Sequence, residues 1–326
     1  MLLRYSVKRL FETIPTLLIV SLVVFGLILV VPGDPVLHML GYVGEDVQVQ
    51  QAVDPIVYAQ MRARLGLNDS IPVQFLSWLG RTVEGDLGIS LNHRVPVVEI
   101  IVGRLPATFY LALAALAIGI LIAIPLGILA AVRQNTWVDH FANGLVIFGI
   151  VTPGFWVGLM AVLLFSVHLG WFPSIGYRAP QEDFTGFLKH LTLPAFVLGI
   201  DIAAGLLRYL RADFSEQLRQ DYVRAARSRG LPEWVVLVKH ALKNSLVATV
   251  TVLGLDVSRL LGGSTIIETM FAYPGISYLL LQSIYARDFP VVQGVVLFMA
   301  LIVVAVNYAT DLVYAFLNPR IQYGNA

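Results

Sequence analysis

The sequence predicts an all-α integral membrane protein with six transmembrane helices. Hydrophobic residues make up 57% of its 326 residues and charged residues only 13%, and the mean hydropathy is +0.77. Soluble domains carry about 25% charged residues, so this composition favours a chain that lies mostly in lipid. The chain has no cysteine, which excludes disulfides, thiolate metal sites and cysteine nucleophiles. The net charge of +1 gives no indication of a nucleic-acid partner.

Six apolar stretches are long enough, or nearly so, to cross the hydrocarbon core, which takes about 20 residues of helix. They are 13–31, 107–132, 141–169, 191–207, 245–267 and 291–317. The first follows three basic residues, as the apolar part of a signal peptide does. However, it is longer than such a region, and the sequence PGDP at 32–35 follows it instead of a small-residue cleavage site. We therefore predict that it is retained as the first transmembrane helix.

Lysine and arginine orient the chain, because cytoplasmic loops of membrane proteins are enriched in them. If the N-terminus is cytoplasmic, 13 of the 22 basic residues lie in cytoplasmic segments and 8 on the outer side. Five of those eight lie in 32–106, a loop too long to weigh heavily in this rule. Both termini are therefore predicted to be cytoplasmic, as is the polar segment 208–244, which alone holds eight basic residues.

The segments between the apolar stretches complete the predicted organisation. The long outer loop contains a plausible helix at 56–65 and ends in GDLGIS at 85–90, so we expect a small folded cap. The predicted parts are an N-terminal transmembrane helix (1–31), an extracytoplasmic cap (32–106), a core domain with five transmembrane helices and the cytoplasmic segment (107–317), and a cytoplasmic tail (318–326).

The cytoplasmic segment contains DYVRAARSRGL at 221–231, which predicts a short helix, a sharp turn and a second helix. Residues 220–229 are rich in helix formers, and Gly230 stands where a left-handed C-terminal cap is wanted. Pro232 suits the first turn of the second helix, 233–242. The alternative is a basic loop that only sets the membrane topology.

Small and basic side chains distinguish this helix from a topological loop. Ala225 and Ala226 add little bulk, so the surface of a partner could approach the backbone closely. Arg224, Arg227 and Arg229 flank the two alanines and could pair with carboxylates. We therefore predict a docking element for a soluble protein.

This segment resembles the EAA loop in the membrane subunits of bacterial ABC importers, which reads Glu-Ala-Ala, three residues, Gly, nine residues and Ile-x-Leu-Pro. Matching residues are Ala225, Ala226, Gly230 and Leu242, whereas the Glu, Ile and Pro of the pattern are replaced by Arg224, His240 and Lys243. The dipeptide, oligopeptide and nickel permeases depart from the pattern in a similar way, with DYxRTARAKGL followed by HALxN. This chain has DYVRAARSRGL and then HALKN at 240–244.

Further motifs extend the resemblance over nearly the whole chain. They are PGDP at 32–35, GDLGIS at 85–90, ETMFAYPG at 268–275, DFPVVQG at 288–294 and NPRI at 318–321. Their order and spacing are most similar to the first, or B-type, permease of the pair, which has a long first outer loop.

The resemblance implies a type I ABC importer permease fold and import of peptides across the bacterial cytoplasmic (inner) membrane. It implies three kinds of partner: a second homologous permease, two ATPase subunits and an extracytoplasmic substrate-binding protein. The chain lacks the phosphate-binding pattern G-x-x-x-x-G-K-S/T. We therefore expect ATP and Mg to bind the partner subunits, and this chain to be neither an enzyme nor a cofactor protein. The implied ATPase-docking residues are Asp221, Tyr222, Arg224, Ala225, Ala226, Arg227, Gly230 and Leu231.

Four charged residues lie at apparent membrane depth, where such residues usually face a cavity or a partner charge: Asp201, Asp256, Arg259 and Asp311. Asp311 is closer to the cytoplasmic end and is interpreted as structural. Asp256 and Arg259 are three residues apart, so they share a helix face and can pair. Asp201, Asp256 and Arg259 are candidates for the translocation path. For the Asp256–Arg259 pair, a structural ion pair or a contact with the second permease is the favoured interpretation, and Asp201 is the better path candidate.

Other functions remain open at this point. The same family imports nickel chelates, glutathione and other small solutes, although the six histidines show no metal-ligand spacing. A secondary transporter often has paired repeats, which this sequence does not show. An intramembrane hydrolase needs a nucleophile beside a base, yet Ser166 and His168 are only two residues apart and would not face each other on a helix.

Overall fold

The computed structural model describes residues 2–30, 36, 54–64 and 66–317. Within these ranges every regular element is a helix, and the β contact between Ile89 and Pro96 is an isolated bridge. The predicted all-α class is therefore confirmed for the described residues. The chain forms two compact units: a larger unit of Met1–Leu10, Pro106–Tyr278 and Ile302–Ala326, and a smaller unit of Phe11–Leu105 and Leu279–Leu301.

The helices are numbered here in chain order. In the described residues they are α1 (Leu2–Val30), α2 (Pro55–Arg64), α3 (Ile71–Val83), α4 (Val97–Val132), α5 (Trp137–Val151), α6 (Gly154–Ala161), α7 (Phe184–Gln217), α8 (Asp221–Ser228), α9 (Glu233–Val235), α10 (Lys243–Gly263), α11 (Thr265–Met270), α12 (Ile276–Tyr285) and α13 (Phe289–Leu317). Two π-helical segments continue helices: Val162–His168 extends α6, and Val236–Leu242 joins α9 to α10.

Length and apolar composition identify the helices that could cross a membrane. Three qualify alone: Val97–Val132, Phe184–Gln217 and Phe289–Val313. Two bent pairs, Trp137–Val151 with Gly154–His168 and Glu233–Leu246 with Thr249–Leu261, raise the number to five if each pair is one span. The described residues thus give three to five candidate spans. The first predicted crossing, 13–31, falls largely on α1, whose apolar part Phe11–Gly26 is shorter than the helices counted above.

The third predicted span, 141–169, is divided in the structure. Helix α5 ends at Val151, α6 begins at Gly154, and the two are bent by 105°. Pro153 explains the break, because it lacks a backbone N–H and disfavours helical geometry in the residue before it. Thr152 is accordingly extended, with φ −82° and ψ 125°.

Helix α7 is the centre of the larger unit. It is twice as long as the stretch 191–207 predicted from apolar residues, because it extends beyond that stretch at both ends, to Phe184 and to Gln217. At its N-terminus the Asp183 side chain caps the helix by accepting a 2.8 Å bond from the Gly186 N–H. Helices α4 and α5 approach α7 at glycines: an added Cβ on Gly119 would clash with Ile202, and one on Gly149 with Ala204. Small residues allow this close packing between apolar helices.

The smaller unit contains the described part of the predicted cap. The helix expected at 56–65 is present as α2, and α3 follows it. Phe25 of α1 contacts Phe75 and Trp78 of α3, with ring centroids 5.5 and 5.7 Å apart. The buried Asp288 accepts bonds from the Ser90 hydroxyl at 2.5 Å and the Leu91 N–H at 3.1 Å. Most of 32–53 and all of 318–326 lie outside the described residues, so the cap and tail boundaries remain predictions.

Candidate functional site

The helix predicted from DYVRAARSRGL is present as α8, Asp221–Ser228. Its C-terminus has the predicted glycine cap, since Gly230 adopts φ +74°. The Gly230 N–H donates to the Arg227 carbonyl at 3.0 Å, and the Leu231 N–H donates to the Ala226 carbonyl at 3.5 Å. This pair of bonds is a Schellman cap, which satisfies carbonyls that a helix end would otherwise leave unpaired.

One face of α8 is part of the hydrophobic core of the larger unit. Val223 and Ala226 are buried and pack in a cluster with Phe214 of α7, Ala131 of α4 and Val236 of the π-helical segment. Helix α8 therefore packs directly against the C-terminal ends of α4 and α7.

The opposite face of α8 is open to solvent. The exposed residues of α8 are Asp221, Tyr222, Arg224, Ala225, Arg227 and Ser228, and those of the turn are Arg229, Gly230 and Leu231. The structure thus separates the two alanines that the sequence treats alike: Ala225 is on the exposed face, whereas Ala226 is 5% exposed and packs inward. Because the two are adjacent, they point about 100° apart around the helix.

Arg227 ties α8 to the helix that follows the turn. Its Nε and Nη2 donate to the two carboxylate oxygens of Glu233 at 3.2 and 2.7 Å. These bonds lower the pKa of Glu233 below its ordinary value. Both side chains are about half exposed, so water screens the pair and it contributes little to stability. Its two-point geometry links α8 to the first turn of α9.

An exposed tryptophan extends the open surface beyond the predicted residues. Trp234 is 69% exposed and follows closely after Leu231, which is 38% exposed. It is absent from the docking residues predicted from the sequence, which stop at Leu231. A tryptophan inside a strongly polar segment was the available signal, since this residue type is enriched at protein interfaces.

The three candidates for the translocation path, Asp201, Asp256 and Arg259, lie together in the larger unit. Arg259 Nη1 is 3.5 Å from Asp256 Oδ1, as the three-residue spacing predicted, and Arg259 Nη2 is 4.0 Å from Asp201 Oδ2. The Arg259 and Asp201 side chains are 73% and 55% exposed, whereas that of Asp256 is 10% exposed. The group therefore presents one guanidinium and one carboxylate on an open face. Asp201 comes from α7 and the other two from α10, a link between helices that sequence spacing could not reveal.

The described residues contain no group of three or more His, Asp or Glu side chains placed to hold a metal ion. His190, one of the histidines nearest the outer side in the predicted topology, has its Nδ1 2.7 Å from the Gly186 carbonyl oxygen one turn earlier. A local hydrogen bond to the backbone thus accounts for that ring.

Comparison with protein-family models places two families on the chain. The model described as "Binding-protein-dependent transport system inner membrane component" matches residues 123–323. The model described as "Binding-prot-dependent transport system membrane comp, N-term" matches residues 2–112.

Curated relatives match the chain over nearly its full length. A putative peptide transport system permease protein of Brucella abortus (strain 2308) is 41% identical over 97% of this chain and 98% of the relative. The oligopeptide transport system permease protein AppB of Bacillus subtilis (strain 168) is 38% identical over 98% and 99%. The dipeptide transport system permease protein DppB of Escherichia coli (strain K12) is 36% identical over 99% of each chain.

A solved structure shares the fold. It is an inward-facing conformation of the MetNI methionine ABC transporter, with a TM-score of 0.54 and 17% sequence identity. The similarity covers 67% of this chain and 96% of that chain.

Proposed function

We propose a function for this chain, which belongs to the family of binding-protein-dependent transport system inner membrane components. It is a permease subunit of an ABC importer, and it transports peptides. The observation that supports peptides as the substrate is the near-complete alignment with relatives named as peptide, oligopeptide and dipeptide permeases, at 36–41% identity. The alternative is import of nickel chelates, glutathione or another small solute, which the names of these three relatives do not favour.

Six crossings with both termini in the cytoplasm suit this function best. The bent pairs and α1 supply the crossings beyond the three long helices, and the basic residues concentrate in 208–244 as the positive-inside rule requires. The proposed parts keep the boundaries 1–31, 32–106, 107–317 and 318–326. In this arrangement α8 lies on the cytoplasmic side.

The proposed partners are a second homologous permease, two ATPase subunits and an extracytoplasmic substrate-binding protein. ATP and Mg would bind the ATPase subunits, and this chain would need no cofactor. We assign ATPase docking to the open face of α8 and its turn: Asp221, Tyr222, Arg224, Ala225, Arg227, Gly230 and Leu231. Ala226 supports the site from inside, because its burial seats α8 on α4 and α7. Closure of the ATPase subunits on nucleotide would then push both helices.

The membrane charges are proposed to line the translocation path. Asp201 and Arg259 present opposite charges on an open face of the larger unit, and burying such charges against lipid is costly. A peptide carries both an ammonium and a carboxylate group, so an open face with both signs suits its passage. Asp256 neutralises and orients Arg259 from behind.

Peptide uptake by the complete complex tests the proposed function. We expect proteoliposomes that contain both permeases, the ATPase subunits and the binding protein to accumulate a radiolabelled dipeptide or oligopeptide. Accumulation should stop when ATP is removed and continue when the ion gradient is dissipated, because nucleotide closure drives the transport cycle. Uptake that survives ATP depletion and follows the ion gradient would identify a secondary transporter instead.

Cysteine labelling tests the path. The chain has no cysteine, so a single introduced thiol reports on its own surroundings. Leu255 precedes Arg259 by one turn and is 57% exposed, and Leu113 of α4 is 55% exposed. In the assembled complex we expect a charged thiol reagent to label Leu255→Cys, which would face water, and to spare Leu113→Cys, which would face lipid. Equal labelling of both, or of neither, would contradict the proposed path.

A further inference from the structure

A buried ion pair joins the cytoplasmic end of α5 to α7. Arg211 of α7 donates from Nε and Nη2 to the two carboxylate oxygens of Asp139, at 2.5 and 2.8 Å. The Asp139 side chain is 2% exposed and that of Arg211 is 29% exposed. Sequence reasoning missed this pair, because the two residues are 72 positions apart and each stands in an ordinary polar flank.

Two further donors form hydrogen bonds with the Asp139 carboxylate. The Asn135 N–H donates to Asp139 Oδ2 at 2.9 Å from the turn before α5, where Asn135 itself adopts φ +60°. Asn143 Nδ2 donates to Asp139 Oδ1 at 3.2 Å from one helical turn further on. Four donors therefore hold Asp139, and charge-assisted bonds of this kind are short and directional.

The contacts that continue along α5 and α7 have a different character. Ala142 and Val146 of α5 pack in a cluster with Leu206 and Leu207 of α7, and Gly149 lies close against Ala204. Apolar contacts between small side chains are non-directional, so they hold the two helices together without fixing how far one slides or rotates along the other. The ion pair fixes that register at the cytoplasmic end.

The pair also lies next to the seat of α8. Arg211 precedes Phe214 by three residues on α7, and Phe214 is fully buried in the cluster that contains Val223 and Ala226 of α8. A push on α8 therefore reaches α7 within one helical turn of Arg211. The bond from Arg211 to Asp139 then connects α7 to α5, which ends at the 105° bend before α6.

We propose that Asp139 and Arg211 are positioning residues for coupling, which make α5 follow α7 when the ATPase subunits displace α8. This inference rests on the proposed docking role of α8. Without the ion pair, α7 would still move with α8, but α5 would slip along its apolar contacts. ATP hydrolysis would then continue while the path through the membrane fails to open.

The expected result is a change in the ratio of peptide transported to ATP hydrolysed. In proteoliposomes that hold the complete complex, Asp139→Asn should lower this ratio by about ten-fold, the size of a typical coupling between sites, while ATP hydrolysis continues and the subunits stay together. The cargo is the radiolabelled peptide that the wild-type complex accumulates. Asp139→Glu should recover part of the ratio because it keeps the charge.

Arg219→Ala is the matched control. This arginine also lies at the cytoplasmic end of the larger unit, but its contact is a single exposed bond of 3.4 Å to Gln134, so the ratio should not change. An unchanged ratio in Asp139→Asn would overturn the proposal. If Asp139→Asn does not assemble, Arg211→Lys tests the proposal instead, because lysine keeps the charge but cannot make the two-point contact. A lowered ratio in Arg211→Lys supports the proposal, and an unchanged ratio overturns it. A wild-type complex that accumulates no peptide would instead refute the proposed cargo.

Discussion

Gly230→Glu should abolish co-purification of the ATPase subunits and coupled peptide uptake, while the chain still inserts into the membrane. Two effects combine in this expected result. Gly230 adopts φ +74°, which costs a residue with a Cβ about 1–2 kcal/mol, so the Schellman cap that ends α8 is strained. The new carboxylate also stands on the exposed turn, beside the surface assigned to docking. Affinity purification of the complex and uptake in proteoliposomes measure the two losses.

Two companion variants separate strain from obstruction. Gly230→Asn should dock and transport normally or nearly so, because asparagine tolerates the left-handed conformation and adds no charge. Ala225→Trp leaves the turn intact but adds a large side chain to the open face of α8, and it should lose the ATPase subunits as Gly230→Glu does. Normal transport in both Gly230→Glu and Ala225→Trp would show that α8 is not the docking element.

Local chemistry made α8 predictable from the sequence. A glycine after a run of helix formers, followed by proline, allows few backbone conformations, and the structure has the helix, the left-handed Gly230 and the restart at Glu233 in that order. The all-α class was predictable for a related reason, since long apolar runs in lipid must satisfy their own backbone hydrogen bonds. The pairing of Asp256 with Arg259 followed from spacing alone.

Features that depend on how distant segments meet were not predictable. The burial of Ala226 depends on where Phe214 and Ala131 lie, and the pairing of Asp139 with Arg211 depends on the packing of α5 against α7. In each case the sequence supplies the residue type, but the packing decides which neighbour it meets.

The segment ETMFAYPG shows the same limit, because similarity to a family identified it without explaining it. Glu268 is fully buried. Its Oε1 accepts from the Ser264 hydroxyl at 2.7 Å, and its Oε2 accepts from the Tyr278 N–H at 2.8 Å, in the first turn of α12. The carboxylate thus ties the end of α10 to the start of α12. An added Cβ on Gly275 would overlap this carboxylate, so the glycine is required for space.

Gly275→Ala should therefore destabilise the protein by about 1–3 kcal/mol, the cost of overpacking a site that cannot relax, because hydrogen bonds on both oxygens prevent Glu268 from moving aside. The measurement is the loss of folded protein on heating in detergent. Gly144→Ala is the matched control: its added methyl group meets nothing within 4 Å on α5, so it should be neutral or slightly stabilising.

Glu268→Ala alone should also destabilise the protein, since it leaves buried donors unpaired. Adding Gly275→Ala to Glu268→Ala should cost little more, because the group it clashes with is gone, and the strong non-additivity identifies a direct contact. Additive losses, or a Gly275→Ala variant as stable as Gly144→Ala, would show that the carboxylate does not hold this turn.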